Sequence, residues 1–138
     1  MSTDSRRMAG ILLVVFPTVV YGGFSLLNLL LHDPCYAANP LRQDLWRAGH
    51  AHAGVLLILS LVTLRYVDDA HLSERLKQML RSAIPSTAIL LPAAFFLSVL
   101  PQDATAPNQL IYLAYAGAIV LALALLVLGV GLLRTKRE

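Results

Sequence analysis

The residues of this chain best able to do chemistry stand together in Leu45-Trp46-Arg47-Ala48-Gly49-His50-Ala51-His52-Ala53-Gly54. A neutral imidazole is the commonest metal ligand, and an arginine beside it can pair with an acidic group through its planar fork. The interleaved glycines and alanines would let a flat macrocycle or a second helix approach the backbone. One reading is therefore a buried metal, haem iron first, held by an inward-facing histidine. Residues on a helix turn by about 100° each, so His50 and His52 point about 200° apart and cannot both ligate one small ion. Arg47 and Gly54 share the His50 face, and His52 looks the other way with Leu56 a turn further on. The other reading keeps both histidines at headgroup depth, bonded to water, backbone and lipid phosphate, with Arg47 and Trp46 as interfacial anchors.

A second set gathers His32, Asp33, Cys35 and Asp44 beside the two helix histidines, and thiolate plus imidazole suits zinc or copper; otherwise it is a solvated loop. Cys35 is the sole cysteine and excludes an intrachain disulfide. There is no glycine-rich phosphate loop and no Ser-His-Asp constellation. Tyr21, Asn28, Tyr112 and Tyr115 are expected to make structural hydrogen bonds.

The elements that must position these residues are membrane helices. Of 138 residues 57% are hydrophobic and only 14% charged, against about 25% charged in soluble domains. That excludes a disordered chain and a nucleic-acid surface, and the length is that of one domain. Four apolar stretches, 9–31, 45–66, 82–100 and 109–133, match the ~20 residues that cross ~30 Å of hydrocarbon. In lipid the backbone must satisfy itself, so runs without strand alternation are helices. The expected fold is all-α, an integral membrane four-helix bundle in a single domain 1–138.

Arg6, Arg7, Arg65, Arg75, Lys77, Arg81, Arg134, Lys136 and Arg137 fall on one side and only Arg42 and Arg47 on the other. That excess predicts both termini in the cytoplasm and a multi-pass protein of the inner, cytoplasmic membrane. The first stretch lacks an A-x-A site and is read as a retained anchor. The inner 67–80 segment, with Leu72, Leu76, Met79 and Leu80 between charges, predicts a helical extension lying at the membrane surface. Pro85 and Pro92 must kink the third span or be compensated there.

With these residues in view, the chain resembles the styrene oxide isomerase family, small four-helix membrane proteins that bind haem b and convert aryl epoxides to aldehydes. Met8-Ala9-Gly10 opens the first span. Trp46, Arg47 and His52-Ala53-Gly54 follow in the family's order, and Phe95-Phe96-Leu97-Ser98 precedes Pro101. The resemblance implies that His52 is the proximal iron ligand, with His50, Arg47, Trp46 and Gly54 around the cofactor. It implies ferric haem acting as a Lewis acid on an apolar epoxide from the lipid phase, opening to a benzylic cation that a hydride shift turns into the aldehyde. A dry pocket lined by Phe24, Phe95 and Phe96 would protect that cation from water. Where the family has a Tyr, an Asn and an Asp near the open haem face, this chain has Phe95, Ile58 and Thr87, and His50 stands where the family's arginine would be. The ligand carries over better than the catalytic polar groups.

R-x-x-H-x-H in a membrane helix also resembles haem-bearing helices of haem-copper oxidase and nitric oxide reductase subunits. The competing function is a b-type cytochrome for electron transfer or haem binding, with His32 as the natural second ligand. Without C-x-x-C-H the haem would be non-covalent. The resemblance further implies a homotrimer, for which Ala116, Gly117, Gly129 and Gly131 of the last span offer close-packing surface, with membrane lipid as the remaining partner.

Overall fold

The computed structural model describes residues 1–134; Lys136 and Arg137 of the charge count lie outside them. The order of elements is α1 Thr3–His32, α2 Pro34–Ala37, α3 Pro40–Val67, α4 Glu74–Ser98, a 3₁₀ turn Gln109–Ile111 and α5 Tyr112–Leu133. The four long helices are long and apolar enough to cross a membrane, so the protein is an all-α four-helix multi-pass membrane protein. With four crossings both ends of the chain emerge on one side. The bundle ends are called outer and inner here after the expected orientation.

Each boundary follows from capping. Asn39 accepts from the Arg42 N–H at 3.1 Å and Pro40 occupies the first turn, so α3 begins five residues before the expected Leu45. Asp33 ends α1 and accepts from the N–H groups of Cys35 and Tyr36, which starts α2 inside what composition reads as loop. At the inner end, Ser73 caps the Leu76 N–H, and residues 74–80 form the first turns of α4. The expected helical extension over 67–80 is found in part: 68–73 is a turn, and 74–80 extends the helix of the third crossing instead of lying along the surface. Amphipathic spacing there reflects burial of Leu80 against the bundle. Helix α4 runs through Pro85 and Pro92, and around Pro85 the Ser86 and Thr87 hydroxyls donate to the carbonyls of Ala83 and Ile84.

Helices α3 and α4 form the centre, α1 packing on α3 and α5 on α4. One apolar cluster joins Leu12, Leu56, Leu57, Leu64, Ala88 and Leu91; a second, nearer the inner end, joins Val67, Ala70, Leu80, Ile84, Ala124 and Leu128. Between α5 and its neighbours the approach is close. A Cβ on Gly117 would lie 2.3 Å from Leu91 and one on Gly131 2.6 Å from Leu72. Two of the small residues expected to receive a neighbouring subunit are thus spent within the chain.

Candidate functional site at the outer half of α3

Two faces of α3 carry the two histidines to different neighbours. His52 turns to α4, where its ring centroid lies 5.1 Å from that of Phe95. Its Nδ1 is 2.7 Å from the Ala48 carbonyl oxygen. A carbonyl only accepts, so Nδ1 carries the proton and Nε2 keeps its lone pair. This is the way metal-ligating histidines are commonly held, the second nitrogen anchored and the first presented.

His50 turns to α1 and sits in a notch made by Gly22 and Gly23. A Cβ on Gly23 would lie 2.9 Å from its Nε2, and one on Gly22 3.7 Å from its Nδ1. That closes Nε2 against the backbone of α1. One turn on, Gly54 faces Val19, to which an added Cβ would come within 3.7 Å. Arg47, on the same side, bonds through Nε to the Gln43 carbonyl at 3.2 Å and through a terminal nitrogen to the Gln43 side-chain oxygen at 2.6 Å. It rims a small apolar cleft of about 160 Å³ with Leu26, Leu27, Leu30 and Tyr36.

Trp46 does more than mark an interface. Its indole N–H donates to the Phe96 carbonyl at 3.1 Å, and its ring lies between Tyr36 and Phe96 with the Arg42 guanidinium 4.3 Å above it. The last four carbonyls of a helix have no partner within it, and here α4 has all of them met. Ser98 Oγ donates to Phe95, Trp46 to Phe96, the Asn108 amide to Leu97 and the Asn108 backbone N–H to Ser98. Arg42, 5% exposed, continues the series on Val99 and Leu100. Gly49 belongs to this seam, since a Cβ there would be 3.0 Å from the Phe96 ring and 3.2 Å from Phe95.

The structure brings His52 and Phe95 together, and His50 with Arg47 and Gly54. Arg47 and His52 do not share a face. Ile58 points outward with half its surface exposed, and Thr87 is fully buried with its hydroxyl spent 2.6 Å from the Ile84 carbonyl. Phe24 is on the surface of α1, 68% exposed, while Phe95 lies against His52 and Phe96 against Trp46, so the three do not form one lining. Among the described residues no group of three or more His, Cys, Asp or Glu side chains could hold a metal ion, so His32, Asp33, Cys35 and Asp44 do not gather with the helix histidines. Cys35 instead edges an open depression with Asn39 and Gln102.

Sequence reasoning passed over the polar cluster at the inner end. Asp68, the residue that ends α3, receives Arg81 at 2.8 Å, Ser5 Oγ at 2.9 Å and the Ser2 backbone N–H at 2.6 Å. Burial pushes its carboxyl up, but the hydrogen bonds from Arg81, Ser2 and Ser5 outweigh that and hold it well below the usual carboxylate range. Arg81 also reaches Ser5 Oγ at 3.0 Å. Nothing in the spacing of Ser5, Asp68 and Arg81 announces this meeting. At the outer end burial raises the Tyr36 phenol despite the nearby cations of Arg47 and Arg42.

Compared with known proteins, the chain matches no family model, no curated sequence and no solved structure. The donor chemistry therefore decides what the site can hold. His52 has the donor chemistry to ligate haem iron, with Nδ1 anchored on the Ala48 carbonyl and Nε2 without a hydrogen bond among the described residues. His50 packs against the Gly22-Gly23 notch of α1, where a Cβ on Gly23 would come 2.9 Å from its Nε2.

Proposed function

We propose that this chain is a haem b-binding membrane protein in which His52 ligates the iron, and that it isomerises apolar aryl epoxides to aldehydes, following its resemblance to the styrene oxide isomerase family. The observation that carries the reading is the His52 imidazole, with Nδ1–H donated to Ala48 and Nε2 left for a metal. Haem held by the His52 imidazole would supply a ferric Lewis acid for the epoxide oxygen. The Ala48 carbonyl fixes the tautomer and makes Nε2 the better donor. Phe95 covers one side of the imidazole and helps keep water from it. The substrate arrives from the lipid in which it dissolves.

Neither Phe95, Ile58 nor Thr87 offers a hydrogen bond at that site, so turnover is slow; one missing electrostatic donor commonly costs ~10²-fold or more in rate. The test is the visible spectrum of protein from a haem-supplemented culture. A Soret band, lost in His52→Ala and kept in His50→Ala, is expected, with a shift on adding styrene oxide and formation of phenylacetaldehyde. Colourless wild-type protein, or loss of the band in His50→Ala alone, overturns the assignment.

A second reading draws on His32, whose Nδ1 lies 3.1 Å from the Asn28 carbonyl. It too presents a free Nε2 at the outer end of α1. Because His52 faces α4 and His32 stands at the end of α1, His32 could close the same iron only from a second copy of the chain, which would make the protein an electron-transfer cytochrome. A low-spin spectrum indifferent to epoxide, turned high-spin by His32→Ala, would select this reading over the isomerase.

A further inference from the structure

Helices α4 and α5 enclose an apolar groove along their inner half. Its floor is the buried pair Leu80 and Ala124, and its walls rise to Met79 on one side and Leu123 on the other, both exposed. Two hollows of about 230 and 310 Å³ follow one another along it and share Leu76 and Val127. The α5 wall runs Val120, Leu123, Val127 and Val130, spaced by three and four so that they form one stripe. Arg134, one turn further, is the one charged residue among the described ones that line the groove. No described residue outward of Ala83 or Val120 lines either hollow. Just beyond Val120 the helices touch, since a Cβ on Gly117 would lie 2.3 Å from Leu91 and 3.3 Å from Leu90 Cβ.

The 22 residues of α5 span about 33 Å at ~1.5 Å each, close to the ~30 Å of a bilayer's hydrocarbon. Val120 therefore sits near the midplane, and the stretch from Val120 to Val130 covers about 15 Å, the depth of one leaflet. At the mouth the acids are engaged, Asp68 by Arg81, Asp69 by Arg65 and Glu74 by Lys77. Arg134, and Arg75 next to Leu76, are exposed and form no ion pair among the described residues. The mouth thus carries uncompensated positive charge.

We propose that this groove holds one acyl chain of an anionic phospholipid from the leaflet at the inner end, with the headgroup phosphate on Arg134. Depth, apolarity and charge together choose that occupant. The groove is as deep as one leaflet, whereas a crossing helix of another chain needs a seam over the full ~30 Å. Its apolar walls offer nothing to the backbone of a polar segment. Its charge stands at headgroup level, where the planar fork of an arginine suits a phosphate, and basic pockets between membrane helices on the cytoplasmic side recognise anionic headgroups. The site does not depend on His52 or on haem.

The test is native mass spectrometry of the full chain in mild detergent, titrated with phosphatidylglycerol and with phosphatidylcholine of the same acyl chains. One phosphatidylglycerol per chain should bind more tightly than phosphatidylcholine. Arg134→Gln should weaken phosphatidylglycerol by roughly fivefold, the worth of one cation near a lipid surface, and leave phosphatidylcholine unchanged. Arg7→Gln removes the same charge from α1, which packs on α3 and not on this side of the bundle, and should change neither. Val127→Trp, filling the groove, should weaken both lipids, while Ile119→Trp, exposed on α5 outside the groove, should not. Equal affinity for the two lipids, a loss in Arg7→Gln as large as in Arg134→Gln, displacement by Ile119→Trp but not by Val127→Trp, or a second copy of the chain retained in place of lipid would overturn the proposal.

Discussion

The two ends of the bundle are tied by opposite means. At the inner end a carboxylate joins three elements: Asp68 closes α3 and accepts from Arg81 of α4 and from Ser2 and Ser5 at the start of α1. At the outer end no acid plays that part. There Trp46, Arg42 and Asn108 converge on the carbonyls where α4 stops. Gln43 and Asn39 likewise meet the carbonyls of Tyr36, Ala37, Gln102 and Ala104. A buried ion pair depends on both charges being present, whereas backbone carbonyls accept from any donor of the right reach. The inner end should therefore fail abruptly when one group is lost, and the outer end in small steps.

The largest effect expected is at the inner pair. Asp68→Asn leaves the Arg81 charge buried without its counterion, which typically costs about 3–5 kcal/mol, and should lower the thermal midpoint in mild detergent more than any outer-end substitution. Replacing both partners, Asp68→Leu with Arg81→Met, should recover much of the loss. A single variant as stable as the wild type would erase the contrast between the ends. The same pair sets the acid limit. Because the Asp68 carboxyl titrates below its unfolded value of about 4, its stabilisation is complete above that value and is lost as pH falls beneath it. Wild-type stability should decline there, and the Asp68→Asn variant should lose less over the same interval.

A smaller loss is expected for Arg42→Met, which retains the stem over Trp46 but strips the donors from Val99 and Leu100. The Val99 carbonyl is buried while Leu100 is exposed to solvent, and one buried carbonyl left unmet costs about 1–3 kcal/mol. Trp46→Phe, which frees the single Phe96 carbonyl, should cost about 1 kcal/mol in the same assay. If either rivals Asp68→Asn, the outer end is as all-or-none as the inner.

This difference also explains what was legible in the sequence. Four apolar runs of crossing length define the helices, because length and hydropathy alone set that requirement. The divergence of His50 and His52 follows from helix rotation. Which neighbour each would face does not, since that depends on the Gly22-Gly23 notch in one case and on Phe95 in the other. Arg42 and Arg81 enter a charge count as surface cations, yet both are 5% exposed. Counting places a charge near an end of a span but is blind to whether a helix terminus or a carboxylate waits there. The early start of α3 was available in Asn39-Pro40, a cap followed by a first-turn proline. Apolar periodicity, which begins later, obscured it.

The smallest effect separates the two ends through their glycines. At the outer end an alanine at Gly49 would press on the Phe96 ring at 3.0 Å and on Phe95 Cβ at 3.2 Å. Those atoms are held by the Trp46 contact and by the backbone of α4. At the inner end an alanine at Gly131 would meet Leu72, the nearest atom at 2.6 Å. The overlap is greater and takes in Cγ and both methyls. Leu72, however, belongs to the 68–73 turn, where rotation about its Cα–Cβ bond moves all three while the His71 N–H stays on the Gly131 carbonyl at 2.8 Å. Both substitutions gain up to ~1 kcal/mol of helix propensity. At Gly131 that gain should about cancel the cost of moving Leu72, leaving stability nearly unchanged. At Gly49, where no neighbour can give way, overpacking of about 1–3 kcal/mol should exceed it, so that the smaller overlap produces the larger loss. The reverse order in a thermal scan would mean that the Leu72 turn is more rigid than the aromatic seam.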